Sequence, residues 1–283
     1  MNLGQALTRA REIFLDNSIE ENALESEILM RHALNINRTQ LYMDLERELN
    51  PVHHELFHQL IERRLKGEPS AYITGHREFY GLDFYVDRRV LIPRPESELL
   101  VERAVSLVQD RPISTIAEVG TGCGAIAISL AKNLPGARVY ATDLSSQALE
   151  VARCNCRRHG VTDRICLLEG NMLEPLKWPV DLVVANLPYV MEDELSNSGS
   201  LSFEPALALN GGPDGLTKIK NLCHQVGRRL HPGGCLLMEI GWGQGEAVVT
   251  LLRRLFPGDR IEVYPDISGI ERVVGLYLTL GRF

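Results

Sequence analysis

From about Ser114 onward, short runs rich in β-branched residues alternate with stretches of helical periodicity. The pattern predicts strands at Thr115–Val119, Arg138–Thr142, Arg164–Leu168, Asp181–Ala185, Cys235–Ile240 and Val273–Leu280. Parallel strands need a long crossover, usually a helix, so this alternation indicates helices packed on both faces of one sheet. The predicted fold class is therefore α/β, with a doubly wound, mostly parallel sheet.

The first part of the chain has a different texture. Leu24, Ile28 and Leu29 recur at helical spacing between charged residues, and Pro51 can begin a further helix. Next, residues 79–86 alternate aromatic and polar side chains around a glycine, as a hairpin does. The chain of 283 residues is thus divided into a helical domain at 1–75, a hairpin connector at 76–95 and an α/β domain at 96–283.

The charge balance bears on the kind of partner. The chain has 30 Lys and Arg against 37 Asp and Glu, a formal net charge of −7, and a pI near 5.7. An acidic surface gives no long-range attraction to phosphate backbones. Broad coating of nucleic acid is therefore disfavoured, although a local basic groove would still be compatible with this balance.

The six cysteines show neither a zinc-ligand pattern nor a disulfide framework. Cys154 and Cys156 come closest, but a single intervening residue suits neither zinc nor thioredoxin chemistry, so we expect no metal site. Reduced cysteines favour the cytoplasm. Charges at Arg9, Arg11 and Glu12 argue against a signal peptide, and no apolar run approaches ~18 residues, so no membrane span is predicted.

A glycine-rich segment, Gly120–Gly124, lies between the first predicted strand and a helix predicted at Ile126–Leu134. Glycines let the backbone turn sharply and approach a ligand, while the free N–H groups of the helix start face it. Gly120, Gly122 and Ala125 also satisfy the dinucleotide-binding pattern. On these residues alone, a nicotinamide- or flavin-binding domain remains open.

Asp143 follows the next predicted strand. An acidic residue at this place can accept hydrogen bonds from both hydroxyls of a ribose, which favours an adenosine-bearing ligand. The same carboxylate could cap the helix that begins near Ser145, and the two roles can coexist.

The tetrapeptide Asn186–Tyr189 directly follows the strand at Asp181–Ala185. In a doubly wound sheet it should face the same crevice as the glycine loop, because ligands bind outside the carboxyl ends of the strands. A side-chain amide, a backbone carbonyl and an aromatic ring suit a planar –NH2 group: two oxygens accept its hydrogens and the ring packs on its face. Alignment with a methyl group would then promote transfer through orientation.

With these motifs, the sequence resembles the protein-(glutamine-N5) methyltransferases of peptide chain release factors, the HemK/PrmC family. The glycine loop resembles motif I of class I S-adenosyl-L-methionine (SAM) methyltransferases, and Asn186–Tyr189 resembles their [DNS]-P-P-[YFW] motif. More specific blocks follow the family order along nearly the whole chain. They are Gly67–Pro69, Tyr72–Gly75, Leu91–Glu98, Glu204–Leu207, Gly212–Leu216, and Pro232–Gly234 followed by Glu239–Gly241 and Gln244.

The resemblance implies a class I methyltransferase sheet with an antiparallel C-terminal strand, and an N-terminal helical domain that recognises the substrate. It implies transfer of the SAM methyl group to the side-chain amide of the Gln in the Gly-Gly-Gln motif of class-1 release factors. Direct nucleic-acid, membrane or metal partners are not implied.

The implied cofactor-binding residues are Glu118, Gly120, Thr121, Gly122, Cys123, Gly124, Asp143, Asn171, Met172 and Asn186. The implied catalytic residues are Asn186, Leu187, Pro188 and Tyr189. Among these, the Asn186 side-chain oxygen and the Leu187 carbonyl would accept from the target amide, and Tyr189 would stack on it.

Two positions depart from the family pattern. Leu187 stands where the family usually has its first Pro, which removes a φ restraint. Asn171 replaces an acidic residue that commonly accepts from the adenine amino group. Because Asn-Leu-Pro-Tyr also resembles the motif of ribosomal-RNA adenine-N6 dimethyltransferases, adenine-N6 methylation of RNA or DNA is the alternative, which the acidic balance disfavours. A non-catalytic SAM- or nucleotide-binding module is a third hypothesis, and it leaves Asn186–Tyr189 without a role.

Overall fold

The computed structural model describes residues 1–108, 111–195 and 203–280. They divide into two compact units, with the boundary between His76 and Arg77. The first unit is helical. Its helices are α1 (Leu3–Asp16), α2 (Asn22–Leu34), α3 (Arg38–Met43), α4 (Pro51–Leu65) and α5 (Ser70–Thr74).

Local signals set the starts of these helices. Asn2 Oδ1 accepts from Gln5 N at 2.9 Å and Gln5 Oε1 accepts from Asn2 N at 3.0 Å, a reciprocal pair that caps α1. Asn50 caps α4, whose first turn begins with Pro51. The apolar faces of the helices meet in one cluster, in which Phe14 is fully buried.

The second unit contains a seven-stranded sheet with helices around it and a two-stranded hairpin, of which only the first residue, His76, falls before the boundary. Its strands are β1 (His76–Phe79), β2 (Leu82–Tyr85), β3 (Thr115–Val119), β4 (Arg138–Asp143), β5 (Ile165–Glu169), β6 (Val180–Ala185), β7 (Leu230–Glu239), β8 (Arg260–Pro265) and β9 (Glu271–Tyr277). Its helices are α6 (Glu98–Leu107), α7 (Ala125–Asn133), α8 (Ser146–Arg158), α9 (Glu192–Leu195), α10 (Thr217–Val226) and α11 (Gly245–Leu255). None of the helices in the described ranges is long and apolar enough to cross a membrane.

The hairpin of β1 and β2 turns at Tyr80 and Gly81, whose φ angles are 51° and 72°. Two positive φ values give the turn the twist that a tight hairpin needs. The Asn155 amide joins this hairpin to α8: its Oδ1 accepts from Tyr85 N and its Nδ2 donates to Tyr85 O, each at 2.9 Å. The segment predicted as a connector at 76–95 thus packs largely as part of the second unit, while the roles assigned to 1–75, 76–95 and 96–283 stay predictions.

The large sheet has the strand order β5-β4-β3-β6-β7-β9-β8. Strands β3 to β7 pair in parallel, and β9 runs antiparallel to both β7 and β8. The predicted α/β class, with a mostly parallel sheet and an antiparallel C-terminal strand, is confirmed. From β3 the chain moves outward to β5 and then returns to the other side of β3 as β6. Such a reversal opens a crevice at the carboxyl ends of the two central strands.

The predicted strands differ from the observed ones mainly at their ends. The largest difference is in β7, which begins at Leu230 rather than Cys235. Strand β8 was absent from the predicted set. It lies at the edge of the sheet with its side chains mostly half-buried, so its apolar signal is weaker than that of the central strands.

Candidate active site

A cleft opens at the carboxyl ends of β3 and β6. Val119 and Ala185, the last residues of these strands, pair in register, so the segments that begin at Gly120 and Asn186 leave the sheet side by side. The cleft, together with the solvent space at its open mouth, encloses about 860 Å³. Its wall brings together eight of the predicted site residues: Gly120, Gly122, Asp143, Asn171, Met172, Asn186, Leu187 and Pro188.

The glycine loop is held by hydrogen bonds from its main chain to the end of β4. The N–H groups of Gly120 and Thr121 donate to Thr142 O at 2.9 and 3.0 Å, and Gly122 N donates to Asp143 Oδ2 at 2.8 Å. The φ angles of Gly120 and Gly122 are 75° and 54°, where a β-carbon is penalised. A β-carbon on Gly122 would meet no described atom within 4 Å, so the loop leaves space for a ligand to approach its backbone.

Asp143 joins the glycine loop to the start of α8. Its Oδ1 accepts from Ser145 N and its Oδ2 from Gly122 N, both at 2.8 Å. Burial raises the pKa of Asp143, and these backbone donors oppose the rise. Each carboxylate oxygen keeps a further lone pair, so Asp143 can support the loop and still accept from a ligand hydroxyl.

The other predicted cofactor residues on this loop lie behind it. Among the described residues, those that line the cleft do not include Glu118, Thr121, Cys123 or Gly124. Glu118 Oε2 accepts from Thr121 Oγ1 at 2.5 Å and from Ala127 N at 3.1 Å, and burial raises the pKa of Glu118 to about 8. Burial also raises the pKa of Cys123 to about 12, which keeps its thiol protonated. The Glu118 carboxylate therefore stabilises the loop by joining Thr121 to the start of α7.

Asn171 and Met172 follow β5 in a tight turn. Asn171 Nδ2 donates to Glu174 Oε1 at 2.7 Å, and Glu174 N donates to Asn171 O at 3.0 Å. Met172 has a φ of 51°, which is uncommon for a residue with a side chain. The turn places a polar and an apolar residue together on the cleft wall, which Asp143 also lines.

The segment after β6 is held through the side chain of Asn186. Asn186 Nδ2 donates to Ser97 Oγ at 2.7 Å, and Ser97 Oγ donates to Glu239 Oε2 at 2.6 Å. Leu187, which stands where the family has Pro, packs its side chain into the hydrophobic core. Its contribution to polar chemistry is therefore limited to its backbone.

Tyr189 is not among the described residues that line the cleft, and it is held at both ends. Its hydroxyl donates to Glu239 Oε1 at 3.5 Å, and its carbonyl accepts from Gln244 Nε2 at 3.3 Å. Gln244 Nε2 also reaches Gly215 O at 3.4 Å, while Gln244 Oε1 accepts from Gly241 N at 2.8 Å. Burial raises the pKa of Tyr189 to about 12, so the phenol stays protonated.

Two sequence blocks identified only through the family resemblance, Leu91–Glu98 and Glu204–Leu207, contact each other next to the cleft. The Arg94 guanidinium pairs with Glu204, and Ile92 N donates to Glu204 Oε2 at 3.0 Å. Pro205 and Leu207 then line the cleft. Glu204, like Ser97 and Glu239, had no predicted role, and its presence in a family block was the only available signal.

The residues on the wall fit SAM. Asp143 offers acceptors for ribose hydroxyls, the backbone at Gly122 allows close approach, and Met172 offers an apolar contact for a purine ring. Within the described ranges, no group of three or more His, Cys, Asp and Glu side chains could hold a metal ion.

Known proteins share this architecture. Residues 5–75 match the PrmC N-terminal domain and residues 96–200 match the methyltransferase small domain. The hMettl16 catalytic domain, solved in complex with MAT2A 3′UTR hairpin 6, aligns with a TM-score of 0.54 at 18% identity, over 72% of this chain and 77% of that one. A methyltransferase from Pyrococcus furiosus aligns with a TM-score of 0.52 at 15% identity, over 71% and 90%. Both likenesses concern the fold alone. Fold and cleft define a class I methyltransferase that uses SAM.

Sequence relatives narrow the class. The chain is 43% identical over 274 residues to the release factor glutamine methyltransferase of Moorella thermoacetica, covering 96% of this chain and 97% of that protein. It is 41% identical to the protein of the same name from Bordetella pertussis, covering 96% and 100%. This chain belongs to the release factor glutamine methyltransferase family, as the sequence motifs indicated.

Proposed function

We propose that this protein methylates the side-chain amide nitrogen of the Gln in the Gly-Gly-Gln motif of class-1 release factors. The observation that carries the proposal is the placement of Asn186 and the glycine loop side by side at the carboxyl ends of β6 and β3. Membership of a family named for release factor glutamine methylation supports the choice of substrate.

The cofactor side of the cleft would be formed by the glycine loop and the ends of β4 and β5. Gly120 and Gly122 would flank the methionine part of SAM, Asp143 would accept from the ribose, and Asn171 with Met172 would contact the adenine. Glu118, Thr121, Cys123 and Gly124 would act by shaping the loop, because they lie behind it. When bound, SAM would supply a methyl group on a positively charged sulfur; as the amide nitrogen takes the methyl carbon, the carbon–sulfur bond would break, the neutral thioether would leave and the nitrogen would lose one proton.

The target side would be formed by Asn186–Tyr189. The Asn186 side-chain oxygen and the Leu187 carbonyl would accept the two N–H groups of the target amide, while Pro188 and Tyr189 would shape the pocket around it. An amide nitrogen is a weak nucleophile because its lone pair is delocalised, so its orientation toward the methyl group is the main contribution available to the protein. A leucine can fill this role since only its backbone carbonyl is needed.

The alternative is adenine-N6 methylation of RNA or DNA. Two observations support it: Leu187 makes the segment Asn-Leu-Pro-Tyr, which resembles the adenine-N6 dimethyltransferase motif, and the segment's oxygens and ring suit any planar –NH2 group. We favour a protein substrate without direct nucleic-acid contact, since the net charge of −7 gives no general attraction to phosphates. A release factor substrate and six free cysteines are consistent with the proposed cytoplasmic location. The helical domain at 1–75 is proposed to recognise the release factor.

The test is transfer of a labelled methyl group from SAM to a class-1 release factor, with the Gln→Ala variant of its Gly-Gly-Gln loop as the matched control. We expect label in the intact factor and none in the variant. Equal labelling of both would reject the proposed target, and labelling of RNA instead would support the alternative. Calorimetric titration should show binding of SAM and no comparable binding of NAD.

A further inference from the structure

Three buried or half-buried polar side chains form a hydrogen-bonded chain that begins at Asn186 on the cleft wall. Asn186 follows β6, Ser97 ends the 3-10 turn before α6, and Glu239 ends β7. Asn186 Nδ2 lies 2.7 Å from Ser97 Oγ, and Ser97 Oγ lies 2.6 Å from Glu239 Oε2. Ser97 and Glu239 are 3% and 2% exposed, so bulk water does not compete for these bonds.

The supply of hydrogens determines how the Asn186 amide is oriented. An ionised carboxylate only accepts, so while Glu239 is ionised the single hydroxyl hydrogen of Ser97 is committed to it. Ser97 Oγ can then only accept from Asn186, and it selects the –NH2 end of the amide rather than the oxygen. Oδ1 is consequently turned away from Ser97, and Asn186 itself lies on the cleft wall.

We propose that Ser97 and Glu239 are positioning residues that hold the Asn186 amide with its oxygen available to the target amide. This inference rests on the proposed function. If the Asn186 amide were reversed, its –NH2 group would face the –NH2 group of the substrate, and two donors would oppose each other. An unrestrained amide would sample both orientations, of which one is productive.

Burial of the carboxylate fits a role in orientation better than a role in packing. Burial of a charged group is costly, and apolar side chains of similar volume often stabilise a core at least as well. Glu239 nevertheless stands at the last position of β7, between Ser97 on one oxygen and the Tyr189 hydroxyl on the other. Two members of the proposed target side are thus connected to one carboxylate.

The test compares Ser97→Ala, Ser97→Cys and Ser97→Thr with the wild type. Alanine removes the hydroxyl, and cysteine fills its space with a weak acceptor, whereas threonine keeps it. We expect Ala and Cys to lower kcat for the release factor about 10- to 100-fold, as displacement of a reacting group by about 1 Å does. The KM for the factor and the Kd for SAM should change by less than about threefold, and Ser97→Thr should stay near the wild-type kcat.

Ser129→Ala is the matched control, because Ser129 is fully buried in α7 and its hydroxyl has no hydrogen-bond partner among the described residues. Unchanged SAM affinity shows that each variant is folded. If Ser97→Ala and Ser97→Cys bind SAM and turn over like the wild type, the positioning role is wrong; a loss in Ser97→Thr equal to that in Ser97→Ala also overturns it. Absence of Gln-dependent labelling by the wild type would instead reject the proposed function.

Discussion

The glycine loop and the Asn186–Tyr189 segment leave neighbouring strands, yet they are held by different kinds of contact. The glycine loop bonds through its own main chain to the end of the adjacent strand, at Thr142 and Asp143. Asn186–Tyr189 is held by side chains of residues distant in sequence, Ser97 and Gln244 among them.

This difference predicts which substitutions should impair each of the two walls of the cleft, the glycine loop and the Asn186–Tyr189 segment. A loop held by its backbone depends on glycine conformation and on the Asp143 carboxylate, which accepts from Gly122 N. A segment held by side chains depends on polar residues that never touch the cofactor. Cofactor binding and methyl transfer should therefore be separable by mutation, and the predictions below test that separation.

The largest effect is expected for Asn186→Ala. The variant loses the side-chain oxygen proposed to accept from the target amide, so the single-turnover transfer rate should fall by at least about 10²- to 10³-fold. The Kd for SAM should stay within about threefold of the wild type, measured by calorimetry. Asn133→Ala, on α7, is the control, because among the described residues its side-chain amide bonds only to Ser129 O. Wild-type turnover in Asn186→Ala would disprove the proposed mechanism.

A smaller effect is expected for Asp143→Ala, and it should fall on SAM binding rather than on methyl transfer. Loss of the acceptor for Gly122 N and Ser145 N, and of the proposed ribose contact, should weaken SAM binding about 10- to 100-fold, since bonds to charged groups contribute about 1.5 to 3 kcal/mol. Transfer at saturating SAM should fall much less. Asp163→Ala, at an exposed position after α8, serves as the control. Unchanged SAM affinity combined with lost transfer would reverse the assignment of the two walls.

The contrast also explains what the sequence could predict. The glycine loop is local: a β-branched run, three glycines and a helix lie within 20 residues, and Asp143 follows one strand later. Asn186–Tyr189 was identified for the same reason, since it directly follows a strand. Each motif could be placed at the carboxyl edge of the sheet from periodicity and topology alone.

The residues that hold the Asn186–Tyr189 segment in place could not be predicted from periodicity and topology. Ser97 and Asn186 are 89 residues apart, and Ser97 and Glu239 are 142 apart. No periodic pattern links residues at such separations, and a buried Ser or Glu has no distinctive local signal. The positions of Glu118 and Thr121 behind the loop were equally invisible, because a residue's side of a tight turn depends on backbone angles that the sequence does not specify one by one.

Two glycine substitutions sharpen the comparison. Gly122→Ala and Gly215→Ala both place a β-carbon at positive φ, 54° and 68°, which costs about 1–2 kcal/mol in either place. At Gly122 the methyl group enters the open space of the cleft, so SAM affinity should fall. At Gly215 it meets Tyr189 O and lies 2.8 Å from Gln244 Nε2, so transfer should fall about tenfold while SAM affinity changes little.

Gly160→Ala is the control for strain alone, because Gly160 has a φ of 66° and a β-carbon there would meet no described atom within 4 Å. Thermal unfolding should shift similarly in Gly122→Ala and Gly160→Ala, and further in Gly215→Ala, where the β-carbon also meets the backbone of Tyr189. Equal losses of SAM affinity in Gly122→Ala and Gly215→Ala would show that the two walls are not independent.

The smallest effect concerns pH. Burial raises the pKa of Glu239 to about 7; Ser97, Arg272 and Tyr189 oppose the rise, and the Glu96 charge adds to it. Because the pKa is raised, Glu239 becomes protonated as the pH falls through about 7. The hydrogen bond between Ser97 and Glu239 then weakens, since bonds to a charged acceptor are roughly twice as strong as bonds between neutral groups. The single-turnover rate should therefore fall about two- to fivefold between about pH 8 and pH 6. Glu239→Gln has no ionisable group at this position, so its profile should lack that fall; an acid limb of equal size in Glu239→Gln would assign the titration to another group.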